Sequence, residues 1–296
     1  MSGRIVISGA SGLIGTALRA SLGSDGIPTT ALVRRDPRAP DEVQWHPGRE
    51  CLDPGVLEGA SAVIALGGAS VGRMPWTPQY RRELLGSRLR ATTTLADALR
   101  ELGEDAPFFV SASAVGYYGS APGRVLDESS PAGDTFLARL CVRWEDAARR
   151  AGDDARVALL RTAPVIHRRG VLKPLIMLTR AGLAGPLGPG TQIWPWISLD
   201  DEVRAIRHVI DRSLSGPVNL AGPASATAND TGRALARAMR RPFWLPAPAW
   251  ALRGALSRSA ADSLLLADAD VRPRALEDSG FGFTHTTVAE AIAAAV

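Results

Sequence analysis

The sequence predicts an α/β protein built on a doubly wound parallel sheet. Short apolar segments alternate, in the first half of the chain, with longer segments whose apolar residues recur at helical spacing. A glycine-rich turn joins the first apolar segment to the first helical one. Strands separated by helices in this order normally lie parallel in one sheet that carries helices on both faces.

The predicted elements divide the chain into two parts. Apolar segments predict strands at Arg4–Ser8, Thr29–Val33, Val43–Trp45, Ala62–Leu66, Phe108–Ser111 and Arg156–Arg161. Amphipathic spacing predicts helices at Leu13–Leu22, Pro78–Leu102 and Thr135–Ala151. Because a glycine-rich turn between a first strand and a first helix is typical of dinucleotide-binding folds, residues 1–162 are interpreted as a dinucleotide-binding domain. Glycine and proline crowd the sequence that follows, so residues 163–296 are interpreted as an interleaved substrate lobe whose last part, about 245–296, is a small C-terminal domain.

Composition argues against several classes of protein. The net charge of +4 comes from arginines scattered among acidic residues, without a basic tract interleaved with aromatics, so no nucleic-acid partner is expected. No run of about 18 apolar residues occurs, and the N-terminus leads directly into a strand, so a cytoplasmic protein that does not contact a membrane is expected. Cys51 and Cys141 are too few for a disulfide framework. The four histidines lie far apart in sequence, which gives no support for a metal site.

The glycine-rich turn carries the strongest functional signal. Gly9, Gly12 and Gly15 lie three residues apart between a strand and a helix. In a dinucleotide-binding turn the first glycine permits a tight bend, the second lets the pyrophosphate approach the backbone, and the third lets the helix pack closely. The helix N-terminus then favours the negative charge of the phosphates. The predicted cofactor-binding residues of this turn are Gly9, Ser11, Gly12, Leu13, Ile14 and Gly15.

The end of the second predicted strand indicates which dinucleotide binds. An NAD site usually has an acidic residue there, which accepts hydrogen bonds from the ribose hydroxyls. This chain has Arg34 and Arg35 instead, and its first acidic residue, Asp36, follows them. Guanidinium groups can pair with a 2′-phosphate, which a carboxylate would repel. The sequence therefore predicts NADP(H) as the cofactor, and the alternative is an exposed loop that happens to be basic.

A series of motifs in a fixed order resembles one group of proteins. The motifs are GASGLIG, IALGGASV, PWTPQYRRELLGSRLRATTTL, SASAVGYYG, LCVRWEDAA, LRTAPVIHRRG, GPLGPGTQIWPWISLDDEVRAI, SGPVNLAGP and LLLADADVRPRALEDSGFGF. Over almost its whole length the chain resembles the atypical short-chain dehydrogenase/reductases named epimerase family proteins, which are also described as sugar nucleotide epimerase-like or cell-division-inhibitor-like. The resemblance implies an extended, Rossmann-type short-chain dehydrogenase/reductase fold with a small C-terminal domain.

The resemblance also implies cofactor contacts beyond the glycine-rich turn. They follow the fourth strand, lie on the long helix after it, or follow the sixth strand: Leu66, Gly67, Gly68, Glu83, Arg88, Pro164 and Val165. The first three would pass the ribose on the nicotinamide side, and the last two would touch the nicotinamide. Simple loop geometry is the alternative for the glycines, and a surface ion pair is the alternative for Arg88.

The catalytic pair of the wider superfamily is missing. Typical members carry YxxxK on the helix after the fifth strand, where the lysine lowers the pKa of the tyrosine. When this helix is aligned on Trp144-Glu145, Leu137 and Cys141 occupy the two positions. Leu137 has no proton to transfer and a thiol carries no fixed positive charge, so the usual pair has no replacement. Cys141 is expected to be a buried small residue.

Three hydroxyl groups near the end of the fifth strand remain as candidate catalytic residues: Ser113, Tyr117 and Tyr118. The serine could bond a substrate carbonyl, and either tyrosine could supply a proton. The alternative is that Ser113 caps the strand while the tyrosines pack under the cofactor.

Further along, Trp194 and Trp196 could line an apolar pocket or belong to the core of the second lobe. Asp200 and Asp201 are interpreted as a helix N-cap and a first-turn acid.

Together these residues predict an NADP(H)-binding oxidoreductase that transfers a hydride to a small carbonyl or imine compound. One alternative is a nucleotide-sugar epimerase or dehydratase, which the missing YxxxK disfavours because that reaction needs a reversible proton carrier. A second alternative is a non-catalytic NADP(H) sensor whose second lobe binds a protein. The expected partner is a small-molecule substrate, and a homodimer is among the assemblies that the sequence allows.

Overall fold

A seven-stranded parallel sheet forms the centre of the protein. The structure, a computed structural model, describes residues 3–152, 155–170 and 172–296. Its strands are β1 (Ile5–Ser8), β2 (Thr29–Val33), β3 (Glu42–Gln44), β4 (Ala62–Ala65), β5 (Phe108–Ala114), β6 (Val125–Leu126), β7 (Val157–Thr162), β8 (Val165–Ile166), β9 (Ile197–Ser198), β10 (Gly216–Leu220) and β11 (Asp270–Val271). Seven strands lie parallel in the order β10-β7-β5-β4-β1-β2-β3. This arrangement confirms the predicted doubly wound, Rossmann-type sheet.

Helices cover both faces of this sheet. The helices of the described residues are α1 (Leu13–Ser24), α2 (Pro78–Leu102), α3 (Phe136–Arg149), α4 (Leu172–Arg180), α5 (Leu199–Asp211), α6 (Ala228–Ala238), α7 (Ala249–Leu256), α8 (Arg258–Leu264), α9 (Arg274–Asp278) and α10 (Val288–Ala295). Side chains alternate across β1: Ile5 and Ile7 join the apolar cluster beneath α1 and α5, whereas Val6 joins the cluster beneath α2 and α3. The central strands are therefore apolar on both faces, as a buried parallel sheet requires. None of the described helices combines the length and the apolar character that crossing a bilayer requires.

In the central sheet the predicted strands occur with small shifts of their ends, and one strand was missed. The strand predicted at Phe108–Ser111 continues to Ala114. The missed strand is β10, which contains Pro217 and Asn219 and pairs with β7 at the edge of the sheet. Its short polar sequence lacks an apolar run, and proline is tolerated there because an edge strand leaves one side of its backbone unpaired. Because β10 comes from residues 163–296, the central sheet draws on both parts of the chain.

The second lobe has its own small core. Trp196, Leu235 and Ile292 pack together there, and α10 lies against α6. The two-stranded pair of β8 with β9 connects this core to the end of β7. The alanine-rich tail forms α10.

The order of the strands sets the position of the candidate site. The strands β1, β4, β5 and β7 are consecutive neighbours, so the segments that follow them meet at one edge of the sheet. These segments begin at Gly9, Leu66, Val115 and Ala163. The chain winds in opposite directions on the two sides of the β1–β4 boundary, which is where open α/β sheets bind their ligands.

Candidate functional site

The glycine-rich turn has the geometry that a pyrophosphate-binding turn needs. Gly9 has a φ of +77°, and a Cβ atom there would lie 2.7 Å from the carbonyl carbon of Leu66. A Cβ atom on Gly15 would lie 2.4 Å from the carbonyl oxygen of Gly9. Gly12, by contrast, has ordinary backbone angles, and its added Cβ would meet only the Gly9 oxygen, at 3.2 Å. Gly9 and Gly15 are therefore fixed by packing, while the open side of Gly12 leaves room for a ligand.

The first turn of α1 is available to an anion. Gly12 is the N-cap residue, and no side chain caps this helix end. The first turn contains no acidic residue. The unpaired N–H groups and the positive end of the helix dipole therefore remain available for phosphate oxygens.

The two arginines predicted to bind a 2′-phosphate differ in their surroundings. Arg35 donates two hydrogen bonds to Glu42, from Nη2 to Oε1 at 2.6 Å and from Nη1 to Oε2 at 2.8 Å. The hydrogen bond from Arg35 lowers the pKa of Glu42 to about 2, with a further contribution from the backbone N–H of Arg38. Arg34 is exposed, and its side chain has no hydrogen bond or ion pair with any residue that the structure describes. Arg34 is thus the better placed of the two to bind a free phosphate.

The segment after β4 lies directly against the glycine-rich turn. The N–H of Leu66 donates to the Ser8 carbonyl at 3.0 Å. The backbone nitrogen of Gly67 is also close to the turn, because a Cβ atom on Gly9 would lie 2.8 Å from it. Gly68 is packed against Arg88, because a Cβ there would lie 3.1 Å from the guanidinium carbon. Two predicted cofactor-binding segments, Gly9–Gly15 and Leu66–Gly68, are therefore in contact.

Arg88 does not form the surface ion pair considered as its alternative role. Its Nη1 donates to the carbonyl oxygens of Ala69 at 3.1 Å and Leu84 at 2.9 Å. The guanidinium carbon lies 4.9 Å from the ring centroid of Trp144. Burial lowers the pKa of Arg88, and no carboxylate pairs with it among the described residues. A partly buried cation without a counter-ion next to Gly68 suits an anionic or polar ligand group.

The remaining predicted cofactor contacts are more exposed. Glu83 lies on the outer face of α2, where its Oε2 is 3.4 Å from Arg90 Nη2. Pro164 is exposed two residues after the end of β7, and its carbonyl accepts a hydrogen bond from the Ile197 N–H at 3.3 Å. Val165 begins β8. Pro164 and Val165 therefore lie at the ligand-binding edge of the sheet, whereas Glu83 already has an ion-pair partner.

A buried polar network lies beneath the end of β5. Ser113 donates to Glu145 Oε1 at 2.8 Å. Arg161 pairs with Glu145 through two hydrogen bonds, Nε to Oε1 at 2.9 Å and Nη2 to Oε2 at 3.0 Å. Burial alone would lower the pKa of Arg161, but the hydrogen bonds and charge of Glu145, together with Tyr118, raise it above its usual value. The hydroxyl of Ser113 is thus already engaged by a buried carboxylate.

The two tyrosines after β5 differ sharply. The Tyr118 hydroxyl donates to Asn219 Oδ1 at 2.7 Å and accepts from Arg161 Nη1 at 3.0 Å. Burial raises the pKa of Tyr118 to about 12 despite the opposing effect of Arg161. Tyr117 is only half-buried, and its hydroxyl makes no hydrogen bond to any described residue. Its ring lies against the guanidinium of Arg161, 3.6 Å from centroid to Cζ. Of the three candidate hydroxyls, that of Tyr117 is the one without a hydrogen-bond partner among the described residues.

Glu145, Arg161 and Asn219 were not singled out from the sequence. Arg161 stands in an otherwise apolar strand, and Glu145 stands on the buried face of α3. The sequence did contain a signal for them: a charged residue at a position where the pattern requires an apolar one. Such a buried charge needs a partner, so it indicates a polar network. Cys141 is buried as expected, and burial followed by the charge of Glu145 raises its pKa to about 12.

The aromatic and acidic residues of the second lobe are mainly structural. Trp196 is buried, and its Nε1 donates to the Ala224 carbonyl at 2.9 Å, which places it in the core. Trp194 is half-buried and donates to the Leu265 carbonyl at 3.1 Å. The N-cap assignment for Asp200 was wrong, because Ser198 caps α5, while Asp200 and Asp201 both lie in its first turn.

Asp201 fastens the C-terminal region to α5. Its Oδ1 accepts from the Thr284 N–H at 2.7 Å, and its Oδ2 accepts from the His285 N–H at 3.0 Å. Ligand atoms of Asp200, Asp201 and His285 lie within 4.8 Å of one another, a grouping that the sequence spacing of the histidines did not suggest. Through these two hydrogen bonds, Asp201 holds residues 284–285 against the first turn of α5.

Comparisons with known proteins agree with this geometry. Residues 5–221 match the family described as the NAD dependent epimerase/dehydratase family, and residues 247–295 match a domain of unknown function, DUF1731. The epimerase family protein Mb2239 of Mycobacterium bovis is 41% identical over 291 residues, which span 97% of this chain and 96% of the relative. The human epimerase family protein SDR39U1 is 30% identical and spans 98% of both chains.

Solved structures give the same result. A crystal structure of human SDR39U1 with NADPH has a TM-score of 0.88 at 28% identity, covering 99% of this chain and 98% of the other. A nucleoside-diphosphate sugar epimerase from Corynebacterium glutamicum has a TM-score of 0.78 at 29% identity, covering all of this chain but 58% of the other. MoeE5 in complex with UDP-glucuronic acid and NAD, at 23% identity and a TM-score of 0.76, shares the fold. The protein therefore belongs to the NAD dependent epimerase/dehydratase family, with the small C-terminal domain predicted from its sequence.

Proposed function

We propose that the protein is an NADP(H)-dependent oxidoreductase that transfers a hydride between the nicotinamide and a small carbonyl or imine compound. The observation that carries this proposal is the free hydroxyl of the half-buried Tyr117 at the edge of the sheet where the glycine-rich turn also lies. The NADPH in the human SDR39U1 structure supports the choice of cofactor. Unpaired Arg34 supports the same choice, because a guanidinium pairs well with a 2′-phosphate.

The residues of this chain divide the work between binding and proton transfer. The Gly9–Gly15 turn and the Leu66–Gly68 segment form a cradle with no space for additional Cβ atoms at Gly9 and Gly15, so they suit the pyrophosphate and the adjoining ribose. When bound, the nicotinamide supplies or accepts the hydride. Tyr117 gives the proton that the reduced oxygen or nitrogen of the substrate requires. Arg161 holds the tyrosine ring from one face, and Glu145 holds Arg161.

A sugar-nucleotide epimerase is supported less well. Its reaction needs a group that removes and returns a proton at one sugar oxygen. The positions of the usual YxxxK pair contain Leu137 and Cys141, and Cys141 is a buried thiol with a raised pKa. The likeness to MoeE5 is one of fold. A non-catalytic NADP(H) sensor has one favourable observation, because the Ser113 and Tyr118 hydroxyls are already engaged.

Turnover measurements separate these functions. The purified protein is incubated with NADPH and a panel of aldehydes, ketones and cyclic imines, and the loss of reduced nicotinamide is followed together with the reduced product. The proposal predicts stoichiometric formation of product from at least one member of the panel. Epimerisation of a nucleotide sugar without net consumption of NADPH would support the epimerase instead. Tight NADPH binding with no turnover across a broad panel would support the sensor.

A further inference from the structure

A basic loop of the second lobe lies against the phosphate-binding end of α1. This loop, which we call the HRRG loop, comprises residues 167–170 between β8 and α4. A Cβ atom on Gly170 would lie 3.4 Å from Cδ2 of Leu13, the first residue of α1. The Gly170 N–H donates to the His167 carbonyl at 2.8 Å, and the Arg169 N–H donates to His167 Nδ1 at 3.1 Å. The HRRG loop is thus a bent, internally bonded segment that packs on the N-terminus of α1.

The positive charge of this loop is not neutralised. Arg168 and Arg169 are exposed, and neither side chain forms a hydrogen bond or an ion pair with another residue in the described part of the protein. Lys173, the only lysine of the sequence, follows in the first turn of α4 and is also exposed. No acidic residue occurs between Arg161 and Asp200. Burial, followed by the charges of Arg169 and Arg168, lowers the pKa of His167, so the imidazole stays neutral beside them at physiological pH.

The glycine-rich turn lacks the charge that this loop has in excess. A pyrophosphate carries two negative charges, whereas the GASGLIG turn contains no cationic side chain. The N-terminus of a helix offers only about half a positive charge. Several other exposed arginines are paired with carboxylates, as Arg35 is with Glu42 and Arg253 is with Asp262. An arginine pair left without acids, on a loop in contact with Leu13, is therefore complementary to a bound diphosphate.

We infer that Arg168 and Arg169 bind the pyrophosphate of the dinucleotide from the second lobe, on the side opposite α1. The inference rests on the proposed NADP(H)-binding function and adds residues to it. The cofactor then joins the two lobes: α1 supplies backbone N–H groups to the phosphates, and the HRRG loop supplies guanidinium groups. The second lobe contributes to cofactor affinity as well as to substrate binding.

Isothermal titration of three ligands tests this assignment. NADPH and NADH both contain the pyrophosphate, whereas adenosine 2′-monophosphate contains the 2′-phosphate alone. The variant Arg168→Ala/Arg169→Ala should weaken the binding of NADPH and NADH by the same factor, about 10- to 100-fold, which is the scale of charge-assisted hydrogen bonds. Its affinity for adenosine 2′-monophosphate should not change. Arg34→Ala should give the opposite pattern, weakening NADPH and adenosine 2′-monophosphate but not NADH.

Two further variants control for non-specific effects. Arg212→Ala removes an exposed arginine just after α5 and near the start of β10, so it lies at the amino ends of the strands, opposite the ligand-binding edge. This variant should bind all three ligands like the unmodified protein. Arg168→Lys/Arg169→Lys keeps the charge but loses the guanidinium fork, so its NADPH affinity should fall between that of the alanine pair and the original. The lysine pair also tests the charge requirement if the alanine pair proves unstable.

Three results would overturn the inference. Unchanged NADPH affinity in the alanine pair would show that the HRRG loop does not reach the phosphates. A loss confined to NADPH and adenosine 2′-monophosphate would move the contact to the 2′-phosphate. If the unmodified protein bound neither dinucleotide, the proposed function and this inference would both fall. Normal binding by the unmodified protein together with normal binding by the alanine pair removes this inference alone.

Discussion

The two sides of the ligand-binding edge are built in different ways. On the cofactor side, the turn from Gly9 to Gly15 owes its shape to backbone contacts with Leu66 and to the absence of side chains. On the side of the proposed proton donor Tyr117, the proton-donor side, side chains distant in sequence hold one another, as Ser113, Glu145 and Arg161 do. The structure of the first side depends on close backbone packing, and that of the second depends on paired charges and hydrogen bonds. Substitutions should therefore act locally on the cofactor side and cooperatively on the proton-donor side.

The largest expected effect is at the cofactor side. Gly12→Val places a branched side chain where the pyrophosphate approaches the backbone, so NADPH binding should be lost while the fold remains. Gly23→Val is the matched control, because it lies in the same helix and nothing stands within 4 Å of its added Cβ. Calorimetric titration and circular dichroism of both variants measure the two properties. Normal NADPH binding by Gly12→Val would remove the dinucleotide interpretation of the turn.

On the proton-donor side, removal of each of the three candidate hydroxyls should affect turnover and stability differently. Tyr117→Phe should lower turnover by about 10²- to 10⁴-fold with unchanged NADPH affinity, because a positioned proton donor contributes that much. Tyr118→Phe and Ser113→Ala remove hydroxyls that already have buried partners, so thermal stability should fall more than the rate per folded molecule. Ser24→Ala, whose hydroxyl donates to the Ser21 carbonyl at the C-terminal end of α1, serves as the control. Equal turnover in Tyr117→Phe and the unmodified protein would show that the proton comes from elsewhere.

The buried ion pair gives the next largest effect. Glu145→Ala leaves the guanidinium of Arg161 buried and uncompensated, and breaking such a pair costs about 3–5 kcal/mol of unfolding free energy. Asp146→Ala, at the exposed neighbouring position, should change stability by less than about 0.5 kcal/mol. Urea denaturation of both variants provides the measurement. A similar small change in both would mean that Arg161 finds another partner or reaches water.

A second buried carboxyl group makes stability depend on pH. Glu202 is fully buried, its Oε1 accepts from the Thr162 hydroxyl at 2.9 Å, and its Oε2 has no hydrogen-bond partner among the described residues. Burial raises its pKa from 4.5 to about 8. The folded state therefore holds a proton that the unfolded state releases, so this contribution to stability is complete below pH 4.5 and is lost as the pH rises to about 8.

Denaturation at several pH values tests this sign. Between pH 5 and 8 the unmodified protein should lose stability relative to Glu202→Gln, by an amount on the order of a few kcal/mol in total. Asp200→Asn, at an exposed position of the same turn, should follow the unmodified protein. A constant difference between the unmodified protein and Glu202→Gln across this range would show that Glu202 does not titrate there.

The same contrast explains which features could be predicted from the sequence. The long helix Pro78–Leu102 occurs with the predicted bounds, since its apolar spacing, the Thr77 N-cap and the terminal Gly103 are all local signals. The glycine-rich turn is equally local. The network of Glu145, Arg161 and Asn219 joins positions far apart in sequence, and only the pairing of β5, β7 and β10 brings them together. Local patterns therefore predicted the sheet and the cofactor turn but not the groups that hold the tyrosines.

The arginines at the end of β2 give the smallest effect and the most direct test of an NADP(H) site. Calorimetric titration of the unmodified protein with NADPH and NADH, at one ionic strength because salt screens exposed charges, should show tighter binding of NADPH by about 1–3 kcal/mol. The variant with both Arg34 and Arg35 changed to alanine should lose most of this difference. Arg34→Ala alone should lose more of it than Arg35→Ala, since Arg35 is already paired with Glu42. Equal affinities of the unmodified protein for NADPH and NADH would contradict the assignment of an NADP(H) site.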